Sequence, residues 1–234
     1  MIPQRTKHLI ELNMGSIKKH IDLNYALVDM GKMHERLQLG ESRCFSLLSE
    51  KEAGYLESFK VYKKKLQWLC GRYAVKKALF EYKALRKCIV DLSCVDVLKG
   101  ADSAPYIHQY PDITVSITHS FPYCIGVVSE KRIGVDVEKN FQVENSLIKF
   151  FFSEREKDVL FRIPDLNERN AQAIKYWTRK EAVSKFLRLG MKMNFKELDT
   201  VDDVLEAGGY KIKLFSFLCD DCCLSLAIPY SESL

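Results

Sequence analysis

The sequence predicts a mixed α/β (α+β) fold made of two similar halves, and three observations carry that expectation. The first is an internal repeat. Leu47-Leu48-Ser49-Glu50-Lys51-Glu52 returns 104 positions later as Phe151-Phe152-Ser153-Glu154-Arg155-Glu156, and Ala74-Val75 with Lys77 and Leu79 returns 108 positions later as Ala182-Val183 with Lys185 and Leu187. The second is local chemistry. Ser49 and Ser153 each open an S-x-x-E capping box, a helix start in which the Ser side chain accepts from the first turn and the Glu reaches back to the cap. The third is the apolar, β-rich character of Ile113 to Val128, Ile133 to Val137 and Tyr210 to Ile228, which read as strands. The halves are expected at 1–130 and 131–234, meeting near Ser129 to Lys131 with no low-complexity linker, and therefore packing as one body.

From the N-terminus, about 20 residues precede the first plausible strand near His20 to Met30; they read as a flexible arm or an added helix. They lack the continuous apolar stretch of a leader and carry Glu11 and Asp22, which argues against a signal or transit peptide. A 234-residue chain that is 47% hydrophobic can bury a core without disulfide or metal staples, and its net charge of only +5 excludes a wholly disordered chain. No apolar run approaches the roughly 18 residues of a membrane span, so a cytoplasmic protein without membrane contact is expected. The eight cysteines read mainly as small hydrophobes in a reducing compartment. The cluster Cys219-Asp220-Asp221-Cys222-Cys223 is half of a zinc site without a second pair, which leaves a metal or redox role as its alternative.

Lys60, Lys63, Lys64 and Lys65 lead into Arg72, Lys76 and Lys77, with Trp68 and Tyr73 interleaved. That cluster is either an electrostatic footprint for an anionic partner or a solvated helix face. Arg132-Ile133-Gly134-Val135-Asp136-Val137-Glu138 alternates strictly, so Ile133, Val135 and Val137 share one strand face and Asp136 and Glu138 the other. Two carboxylates roughly 6 to 7 Å apart on one face can share a hard divalent cation such as magnesium, or be ordinary surface acids. Trp177, Glu181 and Lys185 form a helical stripe, with Glu181 a candidate third carboxylate and Lys185 a candidate phosphate partner. Ile117-Thr118-His119-Ser120 ends an apolar strand.

Read together, Thr118-His119-Ser120, Gly134-Val135-Asp136-Val137-Glu138 and Trp177-Thr178-Arg179-Lys180-Glu181-Ala182-Val183-Ser184-Lys185 resemble the signature of the 4′-phosphopantetheinyl transferase superfamily, in particular its two-halved, Sfp-type branch. Leu69-Cys70-Gly71-Arg72-Tyr73-Ala74 resembles the family's Gly-Arg helix. The resemblance implies a pseudo-two-fold pair of α/β halves, with the nucleotide side of coenzyme A on the first and the metal and catalytic helix on the second. It implies transfer of the phosphopantetheine arm of coenzyme A to a serine of an acidic acyl or peptidyl carrier protein, with Mg²⁺ and release of adenosine 3′,5′-bisphosphate. Asp136, Glu138 and Glu181 would hold the metal, and Glu181 would act as base with Glu138 second. Lys185 would neutralise phosphate. His119, Thr118, Arg72, Lys63, Lys64, Lys180 and Lys185 would face coenzyme A. Met191, Met193 and Phe195, just after the catalytic helix, could seat a carrier helix or be core and loop packing. Neither a nucleic-acid partner nor an obligate oligomer is implied.

The sequence departs from the family around Ser103-Ala104-Pro105-Tyr106, which lacks the lysine before the proline, and Glu52, Tyr55, Gln67 and Trp68 stand where basic or Arg-Thr residues are usual. Lys63, Lys64, Lys65, Arg72 and Lys76 are the substitutes at hand. Two alternatives stay open: a non-catalytic carrier-binding relative, and a metal-dependent nuclease.

Overall fold

The structure, a computed structural model, describes residues 1–84 and 88–231. Helix α1 (Gln4–Ile17) leads into strand β1 (Leu23–Asp29), and the last residue of that strand caps the next helix, α2 (Met30–Gln38): the Asp29 carboxylate accepts from the Gly31 and Lys32 amides. Helices α3 (Glu50–Glu57) and α4 (Tyr62–Ala84) follow. Strands β2 (Val97–Lys99), β3 (Pro105–Ile107), β4 (Thr114–Ser120) and β5 (Tyr123–Ser129) then complete an antiparallel sheet in the order β1-β5-β4-β3-β2. The pattern begins again with β6 (Gly134–Lys139), α5 (Asn145–Phe151), α6 (Glu154–Arg162) and α7 (Leu166–Leu187). Strands β7 (Val204–Ala207), β8 (Tyr210–Leu218) and β9 (Cys222–Pro229) close a second antiparallel sheet in the order β6-β9-β8-β7. The two orders superpose strand for strand, β1 on β6, β5 on β9, β4 on β8 and β3 on β7.

The duplication reaches individual side chains. Ser49 and Ser153 form complete capping boxes with Glu52 and Glu156. Each glutamate then goes further. Glu52 accepts from the Val97 amide and pairs with Lys76, while Glu156 accepts from the Thr200 amide and pairs with Lys180 at 2.7 Å. Each lysine also donates to two carbonyls, Leu47 and Leu92 for Lys76, Phe195 and Leu198 for Lys180. All four side chains are fully enclosed, so each half holds one buried, fully hydrogen-bonded ion pair. The Ser, Glu and Lys of the two halves are all separated by 104 positions. The counterpart of Lys180 is therefore Lys76, and the 108-residue echo that pairs Lys77 with Lys185 is not the structural one.

The largest shared core lies between the sheets. Tyr123, Ile125 and Val127 of β5 face Val135 and Val137 of β6 and Leu224 and Leu226 of β9, and Ile10, Met14 and Ile17 of α1 close that core. The first 20 residues are thus an added helix rather than a free arm. Thr6 Oγ1 donates to the Asp221 carboxylate at 2.8 Å and Arg5 pairs with Asp220 at 3.1 Å, which fastens the helix to the second half. Among the described residues no helix is long and apolar enough to cross a membrane, and no disulfide forms. Cys88 and Cys94 are exposed rather than packed in apolar runs as their neighbours suggest.

Candidate functional site

The seam between the halves builds the site. Strand β6 pairs only with β9, so its other edge would present bare amides. Alternating hydroxyls of β4 meet that edge: Ser116, Thr118 and Ser120 accept from the amides of Val135, Val137 and Lys139, each at 3.0 Å. Because strand side chains alternate, Ile117 and His119 point to the opposite face of β4. Thr118 is therefore buried in the seam and does not face a ligand. Its hydroxyl donates to Asp136 Oδ1 at 2.9 Å, so it is a positioning group for the acid.

On the other side of β6 lies α7. Gly134 permits the approach, since a Cβ there would stand 1.9 Å from the Ala182 carbonyl oxygen. The helix consequently sets Glu181 and Lys185 against the strand face that carries Asp136 and Glu138. Lys185 Nζ donates to Asp136 Oδ1 at 2.6 Å and to the Val135 carbonyl at 3.1 Å. Asp136 is 4% exposed, and its Oδ2 is buried without a partner among the described residues. Burial, then the charge of Asp136, raises the Glu138 carboxyl above the ordinary range; Lys185 and bonds from Ser120 and Trp177 oppose this. Glu181 is raised likewise by burial, then by Asp136, with Glu138 adding to it and Lys185 opposing. The three acids thus share one electrostatic neighbourhood.

A hard divalent cation suits this donor set: three carboxylates, one of them offering a buried, unpartnered oxygen. The side chains do not yet enclose one. Among the described residues no three His, Cys, Asp or Glu groups converge on a metal position, and Lys185 takes Asp136 Oδ1. Glu138 and Glu181 are half-buried.

On the far face of β4, Ile117 and His119 line a cavity of about 620 Å³ in the first half. Its walls combine Tyr55, Phe59, Trp68 and Tyr106 with Lys51, Lys64, Arg72 and Lys99. Tyr55, Phe59 and Trp68 stack on one another with centroids 5.4 to 5.9 Å apart. The Arg72 guanidinium lies 4.5 Å over the Trp68 ring and donates to the Val97 carbonyl. His119 is held below the usual imidazole range by burial, with Lys185 and Lys63 adding and Asp136 opposing. The imidazole therefore senses both sites, which meet around the end of β4.

Several expected residues stand elsewhere. Lys180 is enclosed by Glu156, Phe195 and Leu198 and cannot face coenzyme A, and Lys76 is enclosed by Glu52 in the same way. Burial lowers both ammonium groups, with the glutamates opposing. Lys63 lies outside the cavity wall but close enough to act on His119. Phe195 is buried against Trp177 at 5.7 Å, and Met193 packs half-buried beside α7, so of the three proposed carrier contacts only Met191 is exposed. Lys51 and Lys99 in the cavity wall carry no sequence signal that marks them as site residues. Lys99 pairs in register with Pro105, so it supplies a cation beside the segment that lacks the family lysine. Lys51 is already paired with Asp96 at 2.9 Å.

Fold and site together define a two-sheet α/β protein with an acidic seam beside an aromatic, cationic cavity. Residues 132–221 match the model of the 4′-phosphopantetheinyl transferase superfamily, and this segment carries Asp136, Glu138 and Glu181. The match covers the segment that holds two of the three motifs resembling that superfamily. No curated protein matches the chain. Among solved structures, the Helicobacter pylori holo-[acyl-carrier-protein] synthase in complex with coenzyme A is 20% identical, aligned over 46% of this chain and 97% of its own, with a TM-score of 0.36. The Bacillus anthracis holo-(acyl-carrier-protein) synthase in complex with CoA (3′,5′-ADP) is 17% identical over 45% of this chain and 91% of its own, with a TM-score of 0.38. The Plasmodium yoelii holo-ACP-synthase is 12% identical over 46% and 91%, with a TM-score of 0.39.

Proposed function

We propose that this protein transfers the 4′-phosphopantetheine arm of coenzyme A to a serine of an acyl or peptidyl carrier protein in a Mg²⁺-dependent reaction, and that it belongs to the two-halved, Sfp-type branch. The observation that carries the reading is the buried, unpartnered Asp136 Oδ2, on an acid whose charge, second to burial, raises both Glu138 and Glu181. The cavity suits coenzyme A: stacked aromatics for a base, and Lys64, Arg72 and Lys99 for phosphates. Asp136, Glu138 and Glu181 would hold the metal, which when bound would neutralise charge on a pyrophosphate.

The chain's own groups do the rest. Thr118 holds Asp136 in place, and Lys185, paired with Asp136 at 2.6 Å, is the ammonium assigned to phosphate. His119, kept neutral, can hydrogen-bond the ligand without adding a charge. Glu181 takes the serine proton as the bond forms. Cavity and acids come from a single chain, so a monomer suffices. Modest positive charge would steer an acidic carrier.

A non-catalytic carrier-binding relative is the second reading, favoured by the engagement of Lys185 with Asp136 and by the separation of the acids. A nuclease is less well supported, because Tyr55, Phe59 and Trp68 stack on one another in one cluster rather than being spaced along a groove. The deciding test is intact mass spectrometry of an apo carrier protein incubated with the protein, coenzyme A and Mg²⁺. A gain of about 340 Da that vanishes with EDTA supports the transferase. Coenzyme A and carrier binding without a mass gain across fatty-acid, polyketide and peptide-synthetase carriers supports the non-catalytic reading.

A further inference from the structure

The hairpin between β8 and β9 carries chemistry that the site does not use. Its turn is Asp220-Asp221, so Cys219 and Cys222 stand directly opposite each other, with the Cys219 amide donating to the Cys222 carbonyl at 2.8 Å. Facing residues of a hydrogen-bonded antiparallel pair have Cα atoms about 5.5 Å apart, inside the span a disulfide bridges without backbone movement. Both side chains lie on the same face, in the core beneath α1. Cys223 faces the other way, toward the Thr178 hydroxyl, and is no competitor.

We propose that Cys219 and Cys222 form a modification site, a reversible intrachain disulfide made by reaction with a peroxide. Cys219 is the attacking residue. It keeps 8% exposure between the exposed Leu218 and Asp220, whereas Cys222 has none. The neighbouring Cys222 thiol draws the Cys219 thiol below the ordinary range, which favours thiolate on the less buried member. The Cys219 thiolate attacks the peroxide O–O bond, giving a sulfenic acid and releasing hydroxide or alkoxide. The Cys222 sulfur then displaces hydroxide from the sulfenic sulfur, its proton leaving with that oxygen as water. Two thiols are oxidised, one peroxide is reduced, and a thiol reductant reverses the bond.

The turn that would be locked is a junction. The Asp221 carboxylate accepts from Thr6 of α1 and from Tyr123 OH of β5, and its carbonyl accepts from the Asn140 amide at 2.8 Å. Asn140 follows β6 by one residue, and Cys223 pairs in register with Glu138. The oxidation state of the hairpin therefore bears on the anchor of α1 and on the acidic end of β6. None of this requires the activity proposed above.

The test treats the intact protein with hydrogen peroxide under non-denaturing conditions, blocks remaining thiols and maps peptides. The expected result is a loss of about 2 Da from a Cys219–Cys222 link, restored by dithiothreitol. Hydrogen exchange at Asn140 and residues 219–223 should slow in the oxidised form. Cys219→Ser should remove both effects, while Cys94→Ser leaves them. The wild-type peptide map is decisive even if the Cys219 variant misfolds. Oxidation of exposed Cys94 with Cys219 and Cys222 still reduced, or a link that maps to other cysteines, would overturn the proposal.

Discussion

The two halves share a skeleton and differ in what they hang on it. Each has a capping box whose glutamate reaches on to a buried lysine of the long helix. At the position of Glu181 in the second long helix, the first carries Lys77, and at the position of Lys185 it carries Glu81. The first half instead opens a cavity walled by Trp68, Arg72, Lys64 and Lys99. Duplicated interactions are therefore those that hold a helix to its sheet, and the residues that diverged are those at the acidic seam and the cavity.

The largest expected effect breaks the second half alone. Asp136→Ala or Glu181→Gln should lower transfer about 10³-fold or more while leaving the far-ultraviolet spectrum and unfolding midpoint near wild type. Turnover within a few-fold of wild type in either variant would sink the site assignment. Next come the paired ion pairs. Glu52→Ala and Glu156→Ala each strand a buried ammonium and should each cost about 3–5 kcal/mol in urea unfolding. Closely similar losses would support the equivalence; a loss confined to one half would show that the pairs do not carry the same load. Smaller still is the effect of the cavity cations: Lys99→Ala or Lys64→Ala should weaken coenzyme A binding about tenfold by titration calorimetry and leave kcat largely intact. If affinity is unchanged, the cavity serves another ligand.

The smallest effect is the pH dependence of stability. Glu138 and Glu181 bind protons more tightly in the folded chain than at their ordinary value of 4.5. The native state therefore holds more protons than the unfolded one just above that value, and their contribution to stability falls as pH rises through the raised range. A divalent cation among the acids removes that penalty. Mg²⁺ should consequently raise the thermal midpoint more near pH 7 than near pH 5, and Glu181→Gln should shrink the difference. A Mg²⁺ increment that does not change with pH would place the ion elsewhere.

What could be read from the sequence was local. The capping boxes follow from a four-residue pattern, and the shared face of Asp136 and Glu138 follows from strand alternation alone. The same periodicity already sets Lys180 off the Trp177–Glu181–Lys185 stripe; it was the motif that drew Lys180 to the ligand side. Ile10, Met14 and Ile17 also recur at helical spacing, although their role in joining both sheets needs the fold to be seen. Lys99 and Lys51 were illegible because the cavity gathers them from segments that no pattern connects. Thr118 was misplaced because a motif fixes neighbours in sequence, whereas the side of the strand decides which site a residue serves.

The hydroxyl ladder also constrains the history of the chain. Ser116, Thr118 and Ser120 shut a strand edge that would otherwise be a template for a stranger's backbone. The ladder belongs to one half and the edge to the other, so residues 131–234 expressed alone would present both a bare edge and an uncovered apolar sheet face. Once the seam had formed, neither half remained a soluble module in its own right, and the duplication became a single unit that selection must keep or lose whole.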